Sequence, residues 1–419
     1  MKLRDRSFLK RQEFFDDPVY LDRVSAILAD VRARGDAALR ELTARFDRVT
    51  LESFHVSNVR AAYPSVSPEI VESLRLAADR LEKFHRQQPL TSWFTQELGG
   101  VLGQIVTPLQ RVGCYVPGGT APLPSSVLHT VILARVAGVE EIVIVTPPNP
   151  AFSETEFVNP VILAAADIAG ATEVVRLGGA QAVAALAYGT ETVEPVDKIV
   201  GPGNVYVTLA KKLVYGVVGI DGLAGPTETV VVADEHATPQ WVAADLLAQA
   251  EHDILASAIL LTPSESLALK VQSLISNLLE SLSRADIITA AFERRSGIVL
   301  TRDLDEAVTL ADGYAPEHLC LAVRDPWAWV PHLRRVGGLF LGEHSFEVLG
   351  DYVAGPSHVM PTGGSARYAS PLSLFDFVRL TSLVALDPAT TQAIAPHAAR
   401  LARAEGLTAH ALAAESRKP

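Results

Sequence analysis

Four Glu-His pairs occur in the chain: Glu235-His236, Glu251-His252, Glu317-His318 and Glu343-His344. The third lies in "APEHLCLAV", where the chain after Pro316 reads as a strand. Alternation puts His318, Cys320 and Ala322 on one face and Leu319 and Leu321 on the other. A histidine at the mouth of a buried strand is well placed as a general base. Glu317 beside it, half out of the pleat, is placed as a second base with a raised pKa. "ADEHATP" reads as a solvated turn and "LGEHSFE" as a loop near Asp351.

Other polar groups have usable spacing. In "LLAQAEHD", Gln249 and His252 are three apart on a helix and project from one face, enough for two ligands of one metal. Imidazole and oxygen ligands without thiolate suit zinc or another borderline divalent ion. Asp351 and His358 lie in "LGDYVAGPSHVMPTGG", a Gly- and Pro-punctuated loop. Glu405 and His410 flank a helix break at Gly406. Taken singly, each also has an ordinary reading as a helix-end histidine, a turn-closing aspartate or a helix-break residue. The dinucleotide fingerprint G-x-G-x-x-G is absent: "GPGNVY" starts it and fails at Tyr206.

The elements that must hold these groups follow from periodicity. Residues 1–90 read as helices, with a break at Gly35 and a helix opened by Ser67-Pro68. His85 reads as a solvated histidine at that helix's C-terminal end. From about residue 112, strands and helices alternate at roughly 30 residues per unit, the signature of a parallel doubly wound sheet. Ligands of such sheets sit beyond the carboxyl ends of the strands, here "TPPN", "LGGAQ" and "VGPGN". A second α/β region follows, with "TETVVVAD", "ASAILLTP", "SGIVLTRD", "EHLCLAV" and "GGLFLG" as buried strands. The tail from about Ser373 reads as helical, "SLFDFVRLTSLVAL" included.

Composition narrows the class. With 419 residues and 48% hydrophobic content, the chain can build two or more packed domains. A net charge of −12 excludes a protein built to grip nucleic acid. Two cysteines, Cys114 and Cys320, fit a reducing compartment and exclude a thiolate zinc cluster. The charged N-terminus is no signal peptide, and the longest uncharged stretch, Val112–Ala134, is too rich in proline and glycine to span a membrane. The expectation is a cytoplasmic protein.

The strings "VGCYVPGGTAPLPSSVL", "GGAQAVAALAYGT", "VDKIVGPGNVYVTLAK", "GIDGLAGPTETVVVAD", "LLAQAEHD", "APEHLCL", "GDYVAGPSHVMPT" and "EGLTAH" recur in order. Through them the chain resembles the histidinol dehydrogenase family along nearly its full length. The resemblance implies oxidation of L-histidinol through L-histidinal to L-histidine with NAD, the last step of histidine biosynthesis. It implies one zinc ion per subunit, held by Gln249, His252, Asp351 and His410. It implies NAD contacts from Tyr115, Gln181 and Asn204, and Glu317 and His318 as the catalytic pair. Substrate contacts would come from Thr227, Gln249, His252, His318, Asp351, His358, Glu405 and His410. A homodimer with a shared active site is implied, the tail completing the partner's site.

The fold expected is α/β: two incomplete Rossmann-like doubly wound domains, a helical N-terminal arm and a helical C-terminal tail. The boundaries read as an arm over 1–20, a discontinuous first α/β domain over 21–114 plus 229–372, a second over 115–228 and a tail over 373–419. The family commonly has "AGPSE" and "GTNHVLPT" where this chain has "AGPTE" and "GPSHVMPT"; the Thr227 hydroxyl and His358 are kept. "TPPNPAFSETEFVNPV" reads as an extended surface loop. Cys320 offers a thiol for the aldehyde, against the plainer reading of a small buried apolar residue. The competing functions are a same-scaffold dehydrogenase of another polar alcohol such as a sulfonated diol, a zinc hydrolase, and a non-catalytic metal-binding protein.

Overall fold

Runs that are apolar at every position can be buried on both faces only in a parallel sheet covered by helices. Two such sheets form the framework. The computed structural model describes residues 1–11, 17–118 and 122–417. Residues 12–16 of the expected arm and 119–121 of "YVPGGTAP" lie outside them. The chain divides into two compact units, one of residues 1–87 and 110–377, the other of 88–109 and 378–419.

In the first unit, a six-stranded sheet runs Leu3–Arg4, Gly297–Leu300, Ser257–Thr262, Glu228–Ala233, His318–Ala322, Gly338–Leu341, all parallel. A five-stranded parallel sheet runs Glu173–Arg176, Glu141–Thr146, Arg111–Tyr115, Lys198–Val200, Gly219–Ile220. Set aside the Leu3–Arg4 edge, and both have one topology. In chain order the strands lie third, second, first, fourth, fifth, with the order reversing beside the first strand. The expected pair of Rossmann-like α/β sheets is therefore present.

The six-stranded sheet shows why its strands read as unbroken apolar runs. Val231, Ala258, Leu260 and Cys320 face one core with Leu246 and Val271, while Val230, Ile259, Leu261, Leu319 and Leu321 face another with Val308. Each large side chain so buried contributes about 1.5–3 kcal/mol. The alternation read at His318–Ala322 holds.

Several expectations are corrected. The arm begins with a strand, Leu3–Arg4, paired parallel with Ile298 and Val299. Helices Pro18–Arg34 and Asp36–Phe46 had been grouped with the 229–372 sheet, yet Val24, Leu28, Leu39 and Leu42 pack on Val183, Leu186 and Leu209 of the five-stranded layer. Helix Pro68–His85 packs on helices Pro124–Ala137 and Pro160–Ala169 of the same layer. Helical periodicity shows that a face is buried and not which sheet buries it. The break at Gly35 is real: its φ is +54°, and a Cβ there would strike the Glu191 carboxylate. His85 is buried at its helix end, not solvated, edge-on to Phe84 at 5.0 Å.

In the second unit, Val378–Ala385 is a strand, antiparallel to Val101–Pro108, which also pairs with Trp93–Thr95. The expected helix over "SLFDFVRLTSLVAL" is thus replaced by a 3₁₀ turn, Leu374–Phe377, and that strand. The pairing partner lies far away in sequence, and β preference is decided by such partners. The rest of the tail is helical, as Pro388–Ala404 and Thr408–Glu415. No described helix is long and apolar enough to cross a membrane.

A buried ion pair shapes the "VGPGN" turn. Lys211 Nζ bonds the Gly201 carbonyl at 3.0 Å and the Asp221 carboxylate, whose Oδ2 accepts the Gly201 N–H at 2.7 Å. Removing one partner strands the other's charge, so Lys211→Met is expected to cost about 3–5 kcal/mol in urea unfolding; a loss under about 1 kcal/mol would refute the clamp.

Candidate active site

Parallel strands bury their centres and leave their ends open to ligands. At the amino end of strand His318–Ala322, the first residue is His318, 3% exposed. Three oxygens surround its Nδ1: the Glu228 carbonyl at 3.3 Å, Glu347 Oε1 at 3.7 Å and Glu317 Oε2 at 3.8 Å. The nearest of them, a main-chain carbonyl, can only accept, which places the proton on Nδ1 and the lone pair on Nε2. Nε2 is buried without a protein hydrogen-bond partner, 3.9 Å from Asp351 Oδ1. It is the basic atom of the cluster.

Glu317 is buried, not half out of the pleat. Its Oε2 accepts from Thr227 Oγ1 at 2.7 Å and from the Glu228 N–H at 3.0 Å. Burial pushes its carboxyl up to about 7, against the opposing pull of His318 and these two donors. Thr227 Oγ1 in turn accepts from Gln249 Nε2 at 3.2 Å, leaving Gln249 Oε1 buried without a protein partner. Gln249, Thr227 and Glu317 thus form one polar line across three segments.

Gln249 sits in the last turn of helix Pro239–Ala250. His252 lies in the turn just beyond it and is exposed, where a continuous helix had been expected. Asp351 had been read in a loop but belongs to a short helix, Glu347–Tyr352. That helix puts Glu347 and Asp351 four apart on one face, both toward His318. Sequence reasoning missed Glu347. Its signal was the spacing to Asp351, hidden because the following Gly and Pro made the whole stretch look irregular. Glu347 is buried, accepts from Thr229 Oγ1, and burial beside Asp351 raises its carboxyl well above the usual range. His358 lies in irregular chain, and its Nδ1 donates to the Asp351 carbonyl at 2.9 Å.

The other pairs are structural. Glu343 accepts from the N–H and hydroxyl of Thr238, capping the helix that carries Gln249. Glu235-His236 is an exposed turn, as read. Cys320 is buried in the sheet core, and burial raises its thiol well above the usual range, so it packs as an apolar residue.

At the carboxyl ends of the five-stranded sheet, the order reverses between Arg111–Tyr115 and Lys198–Val200. The Tyr115 hydroxyl accepts from the Gly179 N–H at 3.0 Å, at the start of helix Gly179–Tyr188, whose first turn buries Gln181. Asn204 caps helix Val205–Val214, accepting from the N–H groups of Tyr206 and Val207 at 3.0 and 3.2 Å. The N-terminus of helix Val205–Val214, which follows a strand at this switch point, suits a phosphate group. A Cβ on Gly201 would lie 2.3 Å from the Tyr115 carbonyl, so this turn admits only glycine.

Around His318 the fold gathers Thr227, Gln249, Glu317 and Asp351. Glu405 and His410 belong to the second unit, where both are exposed. Among the described residues no group of three or more His, Cys, Asp or Glu is arranged to hold a metal ion. The orphaned Gln249 Oε1 is nonetheless an oxygen donor with no protein group to satisfy, which fits a cation ligand.

A family model described as histidinol dehydrogenase matches residues 10–418. A histidinol dehydrogenase of Moorella thermoacetica is 52% identical over 401 residues, covering 94% of this chain and 94% of that protein. One of Thermus thermophilus is 47% identical over 413 residues, covering 99% and 98%. The crystal structure of histidinol dehydrogenase from Elizabethkingia anophelis superposes with a TM-score of 0.93 at 35% identity, covering 98% of this chain and 95% of that one.

The raised carboxyl of Glu317 makes stability pH-dependent. The folded group ionises near 7 and the unfolded one near 4.5, so its contribution is full below 4.5 and lost as pH rises through about 7. Glu317→Gln has no such loss. Its stability relative to the parent should rise by about 3 kcal/mol between about pH 4.5 and pH 8. Parallel denaturation profiles for the two proteins over that range would show that Glu317 ionises normally.

Proposed function

This chain belongs to the histidinol dehydrogenase family, and on that premise we propose that it oxidises L-histidinol through L-histidinal to L-histidine, reducing two NAD⁺. The observation that carries the reading is the unpaired, buried Nε2 of His318 beside the Gln249–Thr227–Glu317 line. An alcohol oxidised by hydride loss must also give up its hydroxyl proton. His318 Nε2 takes that proton while its Nδ1–H stays directed at the Glu228 carbonyl. In the second stage, water adds to the aldehyde carbon. Glu317, held near neutrality by burial, accepts the proton that water releases. A second hydride then leaves the hydrated carbon to give the carboxylic acid.

NAD bound at the switch point by Tyr115, Gln181 and Asn204 supplies the hydride acceptor. Gln249, His252 and Asp351, with His410, would hold Zn²⁺, which as a template would fix the imidazole and amine nitrogens of the substrate. Thr227, His358 and Glu405 complete the substrate contacts. Glu405 and His410 would come from the partner of a cytoplasmic homodimer, whose shared site makes the four-ligand shell. Support comes from the strands of the second unit, where Trp93, Leu380 and Val384 are exposed apolar side chains. No basic surface for nucleic acid and no membrane association enter this reading.

The decisive measurement is NADH formed per L-histidinol consumed, before and after chelation and zinc restoration. A ratio of about two that disappears on chelation and returns with zinc is expected from a four-electron oxidation. A folded, zinc-restored dimer that forms no NADH would refute the assignment. His318→Ala should lower kcat by about 10²–10⁴-fold. An equal effect on the KM for NAD would place His318 in cofactor binding instead.

A further inference from the structure

His129 lies inside helix Pro124–Ala137, fully buried, in a segment that carried no functional reading. Its ring stacks on that of His358, centroids 4.1 Å apart and planes 13° from parallel. Its Nδ1 accepts the main-chain N–H of His358 at 3.0 Å, and its carbonyl accepts from Ser357 Oγ at 3.2 Å. An Nδ1 that accepts carries no proton, so His129 is neutral with its hydrogen on Nε2.

The arrangement solves a problem set by the loop. Residues 357–361 form no helix or strand, so the His358 N–H has no ladder partner and would otherwise be a stranded donor. A leucine or phenylalanine at 129 would fill the core at lower cost than an imidazole, which brings two polar nitrogens into it. The His358 ring is then fixed on three sides. His129 covers one face, its own N–H is anchored, and its Nδ1–H is given to the Asp351 carbonyl. The remaining polar atom, Nε2, is presented as an acceptor.

We propose that His129 is a positioning residue. It registers His358, and with it the end of the substrate that His358 meets, against the sheet layer that carries the dinucleotide segments. This rests on the functional reading above. Because helix Pro124–Ala137 belongs to the five-stranded layer and His358 to the loop beside the six-stranded sheet, one imidazole contact spans the two.

The test compares His129→Phe, which keeps a stacking ring and loses the acceptor, with His129→Asn, which keeps an acceptor and loses the ring. Wild type, His358→Ala and His129→Ala run alongside, with thermal melts of each. His129→Phe should raise the KM for L-histidinol about tenfold and leave the KM for NAD within about twofold, since a small misplacement of a positioning group is costly. His129→Asn should recover part of that loss, which a merely space-filling histidine would not show. Equal rises in both KM values, or no rise in His129→Phe while His358→Ala raises the KM for L-histidinol, would overturn the inference and leave the functional reading standing. If alanine prevents folding, the phenylalanine variant carries the result. A zinc-loaded wild type without turnover of L-histidinol would sink the reading and this inference with it.

Discussion

Everything at the site depends on burying an imidazole and two carboxyl groups at the amino end of one parallel strand. Ionised groups taken out of water are costly unless each is matched. The fold meets that cost locally. Glu317 is held by a main-chain N–H and the Thr227 hydroxyl, Glu347 by the Thr229 hydroxyl, and His318 Nδ1 by a main-chain carbonyl. Two of these donors are side chains flanking Glu228, so the amino end of a single strand, Glu228–Ala233, supports the whole cluster. Matching is incomplete at two atoms, His318 Nε2 and Gln249 Oε1. Both are acceptor atoms left open to a ligand.

The two sheets share one strand order and use it oppositely. The five-stranded sheet offers its carboxyl ends and helix N-termini, the ordinary place for a phosphate in such folds. The six-stranded sheet places Thr227, Glu317 and His318 at the amino ends of its strands. Helix Pro239–Ala250 runs back against its sheet, so its last turn brings Gln249 to that same edge. Duplicated architecture thus does not imply a duplicated binding role. One copy suits the dinucleotide, the other the chemistry.

Short-range order was legible because it rests on short-range physics. Ser67-Pro68 and Gly35 marked helix limits through capping and positive φ, and the alternation from His318 to Ala322 told core faces apart. Partnership was not legible. Nothing local says that residues 18–85 pack on the five-stranded layer, or that Val378–Ala385 finds a strand at Val101–Pro108. A segment's period is an intramolecular property of a dozen residues. Its neighbour is chosen by the energy of the whole chain.

The same division runs through the site. The sequence alone determined the α/β class and the family, since residue type and motif order are properties of the string. Only the tertiary structure decided which nitrogen of His318 is basic, because that depends on the Glu228 carbonyl, brought in from another segment. It alone raised Glu317, by burial, and brought in Glu347 and His129, which no motif marked. Charge state, tautomer and orientation are set by groups distant in sequence and near in space, so folding had to assemble them first.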